Sequence, residues 1–180
     1  MLQIKIPAME YFDEVENEFL YKKEVDLALE HSLVSISKWE SKWNKPFLGK
    51  QDKTPEEIFD YIKCMTLTQN VPDEVYNRLT KHNIEEIKNY IDSPMTATTF
   101  REDRNGHRNG EIITSELIYY WMVALQIPFE CQKWHLNRLL TLIRVCNIKN
   151  QPGKKMSPKQ TMAQNAALNK ARRAQHHSTG

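Results

Sequence analysis

Cys131 and His135 lie four positions apart in "IPFECQKWHLNRLL", residues 127–140. A thiol and an imidazole at that spacing can begin two kinds of site: half of a zinc site, or a nucleophile with its base. Zinc needs a third ligand and usually a fourth. The chain has no C-x-x-C, no H-x-x-x-H and no carboxylate cluster near by in sequence to supply them. The periodicity predicts one helix over roughly 129–147. On a wheel at about 100° per residue, Cys131, His135, Leu139, Leu142 and Cys146 gather on one side, with Lys133, Asn137, Thr141 and Arg144 opposite. A thiol buried on an apolar face has a raised pKa and is a poor nucleophile. The stretch reads as packing.

The other titratable groups read no more chemically. Glu56, Glu57 and Asp60, and again Glu85 and Glu86, fall in predicted first turns, where carboxylates complement the helix dipole. His31 immediately precedes a helix and reads as a capping or packing residue. "DRNGHRNG" (103–110) has the composition of a phosphate-binding turn, but equally that of a solvated loop. His176 and His177 read as a native tail or tag remnant, and only weakly as a metal tract. The expectation is a protein that is not an enzyme, with no cofactor and no metal.

Composition sets the frame for these residues. A 180-residue chain with 40% hydrophobic and 27% charged residues suits a single globular domain with a real core. Five glycines argue against Gly-rich phosphate loops. No window approaches the ~20 apolar residues of a membrane span, so no membrane partner is expected. The N-terminal residues lack the pattern of a secretory signal. Cys64, Cys131 and Cys146 are too few and scattered for a disulfide framework, and a reducing, intracellular place of synthesis is the expectation. Net charge is +2, yet residues 151–180 hold six Lys and Arg and no acid. Subtracting six from +2 leaves −4 for residues 1–150, an acidic body with a basic tail.

The elements follow from local signals. "LQIKI" alternates and predicts a short N-terminal strand. "EFLYKKEVDLALEHS" is ambiguous between strand and helix. Leu33, Ile36, Trp39 and Trp43 have helical spacing after Ser32. Thr54, Pro55 and Glu57 spell a capping box with proline at the first helical position. Two shorter helices follow, the second with Asn83 as the expected cap. "MTATTFREDRNGHRNGEIIT" predicts a hairpin over 95–114, or a mobile loop. Thr114 or Ser115 caps a helix over 115–126 that is apolar nearly all round, either central in the core or half of an interface. Ser157 and Pro158 start a basic helical arm with few large apolar groups. The expected fold is mainly α: a helical body over 1–150, a minor β element, and a basic C-terminal arm over 151–180.

Binding is left to aromatics and charge. Trp39, Trp43, Tyr119, Tyr120, Trp121 and Trp134 all sit on predicted helices, where they serve the core or a partner face. The tail has three readings: a solvated helix, a nucleic-acid arm, or an arm docking on an acidic protein through Arg172 and Arg173. No aromatic interleaves its basic residues, which makes nucleic acid the weaker reading.

Two stretches, "EHSLVSISKWESKWNKPFLG" and "TSELIYYWMVALQIPFECQKWHLNRLLTLIRV", resemble small proteins encoded among the structural genes of tailed bacteriophages, as does the closing "LNKARRAQHHSTG". The resemblance covers about residues 29–49, 94–100 and 112–180 and carries no catalytic signature. It implies a tail assembly chaperone, mostly helical, that coats the tape-measure protein. The alternative it implies is a permanent virion component contacting neck, tail or capsid subunits, with further copies of the chain itself as another expected partner. Localisation would be the host cytoplasm during assembly, or the virion in the second case.

Overall fold

The computed structural model describes residues 1–13, 17–100, 112–150 and 158–176. The chain divides into two compact units, Met1–Cys146 and Asn147–Gly180. The first opens with four strands: β1 (Leu2–Ile6), β2 (Met9–Asp13), β3 (Glu18–Lys22) and β4 (Val25–Leu29). Helices α1 (Leu33–Trp43), α2 (Pro55–Met65), α3 (Asp73–Tyr76), α4 (Lys81–Asp92) and α5 (Ser115–Ala124) follow. A 3-10 helix (Phe129–Lys133) then leads into α6 (Leu136–Asn150), whose last turn enters the second unit. That second unit contains α7 (Pro158–His176).

The four strands form one antiparallel ribbon. β1 pairs with β4 and β2 with β3. Ile6 faces Val25 and Met9 faces Lys22, so the register passes the interruption without a shift. Pro7 stands in the gap and has no N–H to donate to a ladder. Arg78 closes it: its guanidinium donates to the Pro7 carbonyl at 3.2 Å and the Lys23 carbonyl at 3.1 Å. The inner half of the ribbon buries Ile4, Ile6, Leu27 and Leu29. The outer edge of β4 is covered by the segment after α2, where Leu67 N–H donates to Ala28 and Glu30 N–H to Met65. The ambiguous stretch after Glu18 is therefore strand, and the β element is larger than one short strand.

Helix starts are set by local chemistry. Ser32, Thr54 and Thr80 each close a capping box with the residue three positions on, and Thr114 caps α5. Asn83 is thus not the cap of α4 but its inner partner, and its amide also donates to the Lys5 carbonyl at 3.3 Å. The core of the first unit joins the ribbon to Leu33, Ile36 and Trp39 of α1, Ile62 and Met65 of α2, and Ile87 of α4. Ile118 and Met122 of α5 and Leu136, Leu139 and Ile143 of α6 complete it.

The single helix expected over 129–147 is broken. Trp134 is extended (φ −71°, ψ 161°) between the 3-10 helix and α6. The break lets His135 bridge to Ser32 and lets Leu136 N–H donate to the His31 carbonyl at 2.7 Å. Long-range bonds thereby replace the local ones that a continuous helix would make. Cys131 and His135 are buried even so, as packing residues. Of the stretch expected as a hairpin, residues 95–100 and 112–114 are irregular, and 101–111, which include all of "DRNGHRNG", lie outside the described residues.

Candidate interaction surfaces

The buried polar centre of the first unit holds two histidines. His31 and His135 meet edge to face with ring centroids 5.1 Å apart. His31 Nδ1 lies 2.5 Å from the Tyr61 hydroxyl. His135 Nδ1 accepts from Asn137 N–H at 3.3 Å, which leaves Nε2 as the protonated nitrogen facing the Tyr90 carbonyl at 2.9 Å. Burial pushes His31 down to about 4, with the neighbouring His135 adding to the effect. Burial lowers His135 as well. Both rings are neutral, enclosed and bonded to protein. Burial also raises the thiols of Cys131 and Cys64. Among the described residues no group of three His, Cys, Asp or Glu is placed to hold a metal ion. This cluster organises the core.

Buried carboxylates do the same work between helices. Glu40 of α1 accepts from Phe47 N–H and from Ser115 N–H, each at 2.7 Å, tying the loop after α1 to the first turn of α5. Glu57 accepts from Thr54 N–H and from Lys45, and these bonds, Lys45 first, hold its carboxyl below the usual range. Asp60 accepts from Lys42 and, at 3.0 Å, from the Trp43 indole.

The aromatics expected at a partner face divide between inside and outside. Trp39 is 1% exposed, and its indole donates to the Glu57 carbonyl at 2.8 Å, so it belongs to the core. Trp43 is half-buried against Asp60. Tyr119 is half-buried and donates to Gln132 at 3.0 Å. Trp121 is half-buried, and Trp134 lies under the Arg138 guanidinium at 4.3 Å. Tyr120 alone among the six is open, at 65%.

α5 is both core and surface. Ile118 and Met122 point inward; Tyr120, Val123 and Ala124 lie on the other side at helical spacing, with Val123 60% exposed. Ile112 and Ile113 just before the helix and Phe129 just after it are also exposed. α7 is a separate surface: its described side chains are all exposed, Arg172 and Arg173 included.

A third surface was not among the sequence expectations. The outer half of the ribbon exposes Met9, Tyr11, Phe12, Phe19 and Tyr21. The signal was present in "MEYFD" and "EFLYK", two five-residue runs each with three large apolar side chains. The acids between and around them masked it as a possible helix.

Comparison with protein-family models, with curated proteins and with solved structures returns no significant match to this chain.

Proposed function

We propose that the protein is a non-enzymatic bacteriophage morphogenesis protein, acting as a tail assembly chaperone that binds the helical tape-measure protein. The observation that carries this reading is the outward face of α5. Tyr120, Val123 and Ala124 present an apolar stripe on a helix whose other side is anchored in the core. A rigid helix with an apolar stripe is a surface on which another helix packs. The segment resemblance supplies the biological setting, and the basic α7 supplies a second, charged contact.

The second reading, a permanent virion subunit, draws on the ribbon and on α7. An uncovered strand and an exposed basic helix are surfaces that a subunit can set against its neighbours. Nucleic-acid binding rests on α7 alone, where no aromatic accompanies the basic residues.

The test is co-expression with the tape-measure protein of the same phage. The wild-type chain is expected to keep that protein soluble and to co-purify with it. Tyr120→Asp with Val123→Asp is expected to abolish both effects while leaving the circular dichroism spectrum and melting temperature unchanged. Equal solubilisation by the variant would remove α5 from the account.

A further inference from the structure

The outer half of the ribbon carries side chains that the body does not bury. Phe19 and Tyr21 are 72% and 65% exposed, and Phe12 touches its cross-strand neighbour Phe19 with ring centroids 5.0 Å apart. The inner strands have covered edges: residues 65–68 run along β4, and Asn83 reaches the β1 backbone at Lys5. β3 does not. Among the described residues its backbone hydrogen bonds run only to β2. An uncovered edge is a template for another strand.

The sequence of β3 says which strand. "EFLYK" is self-complementary when laid antiparallel on itself. We propose that β3 pairs with β3 of a second copy of this chain, about a two-fold axis through Leu20. The result is a four-stranded sheet in the order β2-β3-β3-β2. Glu18 then stands opposite Lys22 of the second copy, and the axis makes this pairing twice. Phe19 stands opposite Tyr21 of the second copy, and Leu20 opposite itself.

Directly opposed residues share a face, so Phe12, Phe19 and Tyr21 from both copies join in one aromatic surface. An interface of this kind is isologous, and the two bodies lie at opposite ends of the sheet. The other open strand does not have the property. "MEYFD" paired about Tyr11 sets Met9 against Asp13 and Glu10 against Phe12, with no opposite charges matched. Lys22 already meets Glu74 at 2.8 Å, but that pair is exposed and is worth little, so Glu18 of the second copy can share or replace it. The inference stands on the ribbon and does not depend on the role of α5.

The experiment uses the full-length chain. Sedimentation velocity is expected to show a dimer at micromolar concentration. Leu20→Cys is expected to form a covalent dimer under mild oxidation, since opposed residues bring their Cα atoms within disulfide reach. Tyr11→Cys on β2 is expected to remain at the background set by the native Cys64, Cys131 and Cys146. Glu18→Lys turns both charge pairs repulsive and is expected to weaken the dimer about tenfold. Combining it with Lys22→Glu is expected to restore association. The charge-swap series keeps the test independent of how well Leu20→Cys folds. A wild-type monomer, equal cross-linking at Tyr11, or a dimer indifferent to Glu18→Lys would each overturn the proposal.

Discussion

Glu40 shows how much one buried side chain carries. Its two carboxylate oxygens accept from backbone groups of two different segments, and removing it strands two buried N–H donors. Glu40→Ala is expected to cost about 3 kcal/mol in urea denaturation. Glu40→Gln is expected to recover only part, because its amide NH2 faces a donor where the carboxylate offered an oxygen. The histidine pair makes a second prediction at this scale. His31 is held to about 4 when folded but takes a proton near 6.5 when unfolded. Between those values the unfolded chain binds more protons, so stability rises with pH. The contribution is complete above about pH 6.5 and is lost as pH falls toward 4, by about 3 kcal/mol for this residue. His135 shifts in the same direction. His31→Gln is expected to be less stable at pH 7 yet to show a flatter profile between pH 6.5 and 4.5. A wild-type profile as flat as the variant's would contradict this.

Among the elements, the ribbon has a clasp at its interruption. Arg78 binds one carbonyl on each side of the Pro7 interruption, and the outer strands extend beyond it. Arg78→Ala is expected to lower global stability by about 1 kcal/mol or less, since these bonds are solvent-exposed. Its larger effect is expected in hydrogen exchange: amides of residues 9–22 should exchange faster while those of α1 and α2 keep their protection. Unchanged exchange in the ribbon would show that the clasp holds nothing.

Elements also differ in how far the sequence discloses them. α1, α2 and α5 could be placed because Ser32, Thr54 and Thr114 announce their starts within four residues. β3 could not, because a strand is stabilised by a partner distant along the chain, and "EFLYK" has no local signal that excludes helix. The break at Trp134 was hidden for the same reason: it depends on Ser32 and His31, a hundred residues away. The outward face of α5 was half legible. Its lack of a polar side showed that some apolar surface had to meet something, but only the fold reveals that Tyr120 and Val123 are the part left over.

At the level of the whole molecule, the exposed apolar surface of the first unit includes the outer ribbon and the outer face of α5, while α7 adds exposed basic charge. Among the described residues the buried side-chain polar atoms are paired, and His31, His135 and Cys131 are enclosed in the core. The proposed role is one of association, and it requires the protein to leave once assembly is complete. The deciding measurement is quantitative mass spectrometry of purified mature phage particles beside the lysate of infected cells. The chaperone account predicts a protein abundant in lysate and absent from particles. A fixed, symmetric copy number per particle would contradict it and make the protein a permanent subunit.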